Sequence, residues 1–183
     1  MHLAAQFTSK PDVKGTHMKT REEQVEFLYK KLEKIRFGML STIDPKKGII
    51  RSRPMTNKQV DPAGTLWFMT SDAAATTFEV DRDHHVNISY AEPSDNLYIS
   101  VSGLARIVHD KTKVHELWHT LDKAWFPNGV DDPHIVLIRV DITAAEYWDS
   151  PSSKVVELYE LAKSITTGKT AHDIGEHAKL SNL

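Results

Sequence analysis

No cysteine occurs anywhere in this chain. That absence removes disulfide staples, thiolate nucleophiles and cysteine-ligated zinc or iron–sulfur centres together. The sequence also lacks any run near the roughly 18–20 apolar residues of a membrane span. Its first sixteen residues carry no apolar core of the kind found in a secretory leader. A cytoplasmic protein with no membrane partner is the expectation. An excess of basic charge is missing as well: 23 Lys and Arg stand against 25 Asp and Glu, a formal charge of -2. A general basic surface for nucleic acid is thereby excluded. Gly168-Lys169-Thr170 has the ending of a phosphate-binding loop, but Lys163 stands where the earlier glycine is required and no strand leads in.

What remains is enough for a core. Hydrophobic residues make up 40% of 183 positions, which suits one domain with tails. Residues 1–18 are mixed polar, contain Pro11 and Gly15 and show no period. They are expected to lie outside the fold as a disordered or added segment, with His17-Met18 read as a junction. The domain is expected over 19–166, followed by a polar tail over 167–183.

Thr20 and Glu23 form a capping-box pattern, and Val25, Leu28, Leu32 and Ile35 then recur at helical spacing. The spacing predicts a helix over 20–36. Short β segments follow at 37–43, 49–55, 65–70, 86–90, 97–108 and 135–148, each bounded by turn chemistry such as Asp44-Pro45-Lys46-Lys47-Gly48. Helices are expected at 73–82, 110–123 and 153–165. Strands meeting in hairpins, with helices only as connections, indicate an antiparallel sheet curling into a barrel.

Arg51-Ser52-Arg53-Pro54-Met55 is the strongest local feature. Alternation puts Arg51, Arg53 and Met55 on one strand face, with the guanidinium groups about 6–7 Å apart along the strand. They can grip a phosphate bidentately, or they can meet solvent or carboxylates. Thr70-Ser71 precedes a predicted helix, where hydroxyls and backbone N–H groups seat a phosphate or simply cap the helix. Tyr98, Ser100 and Ser102 share a polar strand face that either lines a groove or faces water. His115-Glu116-Leu117-Trp118-His119 matches the HExxH zinc-hydrolase pattern, with His115 and His119 as ligands and Glu116 as base. With ten histidines in the chain, a chance match on a surface helix is the plainer reading. Trp67, Trp118, Trp125 and Trp148 suit packing, and one or two of them could wall a flat ligand ring.

In order, several segments resemble the general stress protein branch of the pyridoxamine 5'-phosphate oxidase-like flavoproteins. They include Gly38-Met39-Leu40-Ser41-Thr42, Ile50 to Met55, Leu66 to Ser71, Val86 to Tyr90 and Tyr98 to Gly103. Glu116-Leu117-Trp118, Trp125-Phe126-Pro127, Asp131-Asp132-Pro133 and Ala145 to Asp149 complete the set. The resemblance covers about 20–165. It implies a mostly β (α+β) fold, a six-stranded antiparallel split barrel, and a homodimer with FMN in the clefts between subunits, FAD being the alternative. It would set Arg51, Ser52, Arg53, Pro54 and Met55 along the flavin and its phosphate. Phe68, Thr70 and Ser71 would lie near the phosphate end, with Ser102 and Trp148 as further contacts. One departure stands out: Thr76 takes the place of the family's phosphate-contacting lysine. Losing one such contact costs roughly 1.5–3 kcal/mol. The arginine-rich C-terminal motif of genuine pyridoxamine-phosphate oxidases is also missing, so vitamin B6 oxidation is not expected. An FMN-dependent oxidoreductase or flavin-handling protein is the leading expectation, with no catalytic side chain assigned. A flavin carrier or sensor, and a zinc hydrolase, are the alternatives.

Overall fold

The computed structural model describes residues 20–32, 35–61, 63–149 and 176–181. Helix α1 spans Arg21–Leu32 and is capped as its sequence predicts. The Thr20 N–H donates to Glu23 Oε2 at 2.7 Å, and the Glu23 N–H donates to Thr20 Oγ1 at 3.3 Å. Leu28 and Leu32 then enter the core.

The strands are β1 (Phe37–Asp44), β2 (Ile49–Thr56), β3 (Gln59–Asp61), β4 (Thr65–Ser71), β5 (His85–Glu92), β6 (Leu97–Val108), β7 (Ile135–Asp149) and β8 (Glu176–Ser181). Helices α2 (Ala75–Arg82) and α3 (Lys111–Leu117) connect them. One antiparallel sheet runs β2-β1-β5-β6-β7-β4-β3, with β8 beside the distal half of β7. This is the mostly β, antiparallel split-barrel class that the sequence predicts, with eight strands among the described residues where six were expected. The two extra strands have little sequence signal. Strand β3 is three residues long, and β8 falls in the polar stretch read as a tail. The expected helix over 153–165 and residues 1–18 lie outside the described residues.

Alternation decides which side of each strand is buried. On β1, Gly38, Leu40, Thr42 and Asp44 point inward, and on β6 Leu97, Ile99, Val101, Gly103 and Ala105 do so. These join Phe68, Val80, Ile88 and Val140 in the main core. A second cluster of Met69, Val114, Leu117, Phe126, Ile135 and Leu137 forms where α3 covers β4 and β7. Tight turns make the hairpins. Gly48 closes β1 to β2 at φ 64°, and Asp44 accepts from the Gly48 N–H at 2.8 Å and, through Oδ1, from the Lys46 N–H at 2.9 Å.

Gly38 is a close-approach position. A Cβ there would lie 2.6 Å from Ile88 Cγ2 and 2.7 Å from the Tyr90 ring. Tyr90 is buried and its hydroxyl has no hydrogen-bond partner among the described residues. Burial pushes the phenol pKa well above its ordinary value of 10.0. The unfolded chain therefore releases this proton first, and stability falls as pH rises above 10 by at most about 1.4 kcal/mol per unit from this group. Removing an unpaired buried hydroxyl is near neutral or favourable by up to about 1 kcal/mol. Denaturant melts of Tyr90→Phe should show stability at pH 7 equal to or above wild type, and a shallower loss between about pH 10 and 12. A loss above about 2 kcal/mol at neutral pH would show that the hydroxyl is paired.

Candidate functional site

Strand β2 carries two adjoining arrangements, one charged and one apolar. The charged one is set by the β1 register, which places Thr42 opposite Arg51 and Leu40 opposite Arg53. Both arginines converge on Glu79 of α2, whose side chain is 3% exposed. Arg53 Nη2 donates to Glu79 Oε2 at 2.7 Å, and Arg51 Nη1 donates to Glu79 Oε1 at 3.3 Å. Arg53 Nη1 also donates to Thr42 Oγ1 and Thr76 Oγ1, both at 2.9 Å. The Thr42 hydroxyl in turn donates to Glu79 Oε2 at 2.6 Å. Asp44 Oδ2 lies 3.7 Å from Arg51 Nη1. Of the two guanidinium groups, that of Arg51 stays half-exposed while that of Arg53 is mostly covered.

The apolar arrangement begins one residue further along. A cavity of about 430 Å³ opens between β2, β4 and the segment after α3. Pro54, Met55, Met69 and Phe126 give it apolar walls, Thr70 and Ser71 supply hydroxyls, and Trp125 stands at its edge, 76% exposed. The second core holds that edge in place, since Phe126 packs against Trp118 with ring centroids 6.3 Å apart. Ala74 also lines the cavity, and Thr76, two residues on, touches Arg53. The lining residues Pro54 and Ala74 are thus close chain neighbours of Arg53 and Thr76 in the arginine cluster.

Lys58 and Asp122 meet on the cavity wall as a buried ion pair. Asp122 also accepts from the His119 N–H at 2.8 Å, which fixes the 3₁₀ turn Thr120–Ala124. Lys58 borders a second cavity of about 380 Å³ as well, beneath α1 beside Tyr29, Asn57 and Gln59.

The residues expected at the site thus separate into three places. Arg51, Arg53 and Thr76 come together in the charged cluster, and Pro54, Met55, Thr70 and Ser71 come together along the cavity. The others lie elsewhere. Phe68 is fully buried in the main core, because its face of β4 is the inner one, and it offers no surface to a ligand. Ser52, Ser102 and Trp148 sit on exposed positions of β2, β6 and β7. Ser52 bonds Ser41 across the hairpin at 2.7 Å. Asn87 reaches Ser100 at 2.8 Å and Ser102 at 3.3 Å, so the polar face of β6 is a hydrogen-bonded ladder. Ser71 does not cap α2; that position is Ala74, and the Ser71 hydroxyl accepts from the Ala73 N–H at 3.3 Å instead.

The HExxH reading loses its geometry. Helix α3 ends at Leu117, and Trp118 turns to an extended ψ of 134°, so His119 is not one helical turn from His115. His115 pairs with Asp131 at 3.0 Å and Glu116 with Lys113 at 2.6 Å. Glu79, Thr42, Asp44, Lys58 and Asp122 were not singled out from sequence. Of these, Glu79 had a faint signal, lying three residues after Thr76 and so on the same helix face.

Removing one partner of a buried ion pair strands the other charge, at a cost of about 3–5 kcal/mol. Asp122→Asn should therefore lower the unfolding free energy by about that much, with Lys58→Met in the same background restoring part of it. Equal melts for wild type and Asp122→Asn would mean that the pair is solvated.

The profile described as pyridoxamine 5'-phosphate oxidase like matches residues 23–173. Protein bli-3 of Neurospora crassa is 32% identical over 145 residues, covering 74% of this chain and 69% of that protein. A crystal structure from Jannaschia sp. CCS1, named for general stress protein 26, superposes with a TM-score of 0.69 at 26% identity, over 86% of this chain and 98% of that one. A general stress FMN/FAD binding protein from Xanthomonas citri gives a TM-score of 0.62 at 31% identity, over 73% of this chain and 93% of its own.

Proposed function

Because the chain belongs to the pyridoxamine 5'-phosphate oxidase-like family, we propose that it binds a flavin in the cavity beside Pro54 and Met55. FMN is the flavin proposed first and FAD the alternative. The observation that carries the reading is the cavity itself, an apolar slot of about 430 Å³ with two hydroxyls on its wall and Arg53 next in sequence to its lining residue Pro54. Ligand clefts typically enclose about 300–1,000 Å³ with apolar walls and few polar groups. The name of the Xanthomonas citri relative, an FMN/FAD binding protein, agrees with it.

A bound flavin would supply the electron-transfer chemistry. The chain's own part is to exclude water and fix the ring. Pro54, Met55, Met69 and Phe126 provide the dry walls, and Thr70 and Ser71 offer hydrogen bonds. Exposed Trp125 provides an aromatic face that closes the open side. We also propose a homodimer. Met39, Ile50, Tyr98, Leu104 and Trp148 are exposed apolar groups on the outward sheet face, and a second copy would cover them and bring Ser52, Ser102 and Trp148 near a bound ligand. A cytoplasmic oxidoreductase or flavin-handling role, without vitamin B6 oxidation, is the function proposed. Among the described residues no helix is long and apolar enough to cross a membrane.

A carrier or sensor is the second reading. Lys58 and Asp122, the titratable groups on the cavity wall among the described residues, are engaged with each other, which leaves no proton donor there.

Titration with FMN should quench flavin fluorescence and saturate at about one per chain. Trp125→Ala should weaken binding by roughly 3–10-fold, as expected for one aromatic contact, with an unchanged melting temperature because Trp125 is exposed. Absence of binding at millimolar FMN and FAD would sink the proposal. Sedimentation at twice the chain mass tests the dimer, and turnover with NADH or NADPH separates an oxidoreductase from a carrier.

A further inference from the structure

The charged cluster and the apolar slot make different demands on a ligand, and the two do not match. The slot suits a flat ring. At the cluster, the arginines that would receive a phosphate already hold a carboxylate. Glu79 is 2% exposed as a residue and bonded at both carboxylate oxygens, Oε2 to Arg53 and Thr42 and Oε1 to Arg51. Both hydrogens of Arg53 Nη1 are taken by Thr42 and Thr76. With Asp44 beside Arg51, two positive and two negative charges meet, and the cluster is neutral. Thr76 contributes an acceptor to Arg53 and no charge.

We propose that Glu79 is the specificity-determining residue of this site: an internal anion that occupies the arginines and makes the chain nearly indifferent to a 5'-phosphate on its ligand. The inference rests on the flavin reading above and deepens it. A phosphate dianion arriving at a neutral cluster gains little Coulomb energy unless it displaces a carboxylate already paired in a poorly solvated place. The half-exposed Arg51 presents more of its donors to solvent than the mostly covered Arg53. The flavin ring, not its phosphate, then supplies most of the affinity, and riboflavin and FMN bind alike.

The experiment measures riboflavin and FMN affinities side by side, in the wild type and in two variants. In the wild type the two should agree within about tenfold, less than the gap that a charge-assisted phosphate contact produces. Glu79→Gln keeps the shape and an acceptor but removes the negative charge, and should raise the FMN-to-riboflavin preference at least about tenfold. Thr76→Lys retains Glu79 while adding a cation that can pair with it and free Arg53, and should shift the preference the same way if Glu79→Gln folds poorly. A wild-type preference for FMN above about a hundredfold, or variants that leave the ratio unmoved, would overturn the role of Glu79 while flavin binding stands. If no flavin binds, the flavin reading fails by itself. A titration with inorganic phosphate, followed by the arginine Nε–H signals, then decides the role of Glu79. Phosphate should perturb the variants at millimolar concentration and leave the wild type unchanged, and equal perturbation of all three overturns the proposal.

Discussion

The pairing of β6 with β7 is the constraint on which the other elements depend. Twelve residues of β6, Leu97 to Val108, run antiparallel to Leu137 through Asp149, so these strands bury nearly their whole length against each other. The ladder shifts once, between Ser102 and Gly103. A β-bulge at such a point bends a strand and increases its twist. Gly103 permits the close passage, since a Cβ there would lie 2.6 Å from the Asp141 carbonyl oxygen. From this spine β5 and β1 extend on one side, and β4 and β8 pair with successive halves of β7 on the other. The bend lets a single sheet curl and bring β2 near β4 without pairing them, and the unpaired gap is where the apolar cavity opens.

The site lies between two cores with different work. The main core sets the inward faces of β1 and β4 and buries the start of α2, bringing Glu79 beneath the arginines. The smaller core under α3 fixes Phe126 and leaves Trp125 beyond it, exposed. Lys58 and Asp122 join the loop after β2 to the turn after α3, so the cavity wall is held by a charge pair and not by apolar contact alone. An uncompensated charge at either position would loosen the wall as well as the fold.

Much of the fold was legible because alternation and turn chemistry act locally. Asp44 to Gly48 reads as a hairpin and forms one, and Thr20 with Glu23 reads as a capping box and forms one. Strands β3 and β8 were not legible, because a three-residue pairing and a polar edge strand depend on partners far along the chain. At the site, shared strand faces correctly grouped Arg51 with Arg53. The same rule could not say what the arginines meet, since Glu79 approaches from a helix some 26 residues later in sequence. Phe68 shows the opposite limit: a motif position can be right for a family segment while its side chain serves the core.

Gly38 and Tyr90 carry a consequence for how this sequence can drift. The tyrosine ring lies where a side chain at position 38 would go. Neighbours in contact couple non-additively. An alanine at 38 is tolerated only after both Ile88 and Tyr90 have given way, and smaller residues there leave a void that glycine cannot fill. Each first step is unfavourable by itself, so positions 38, 88 and 90 form a lock in sequence space, changed together or not at all. The Tyr90 hydroxyl has no hydrogen-bond partner among the described residues, and it sits at that position because the ring beneath it fits the space that glycine leaves.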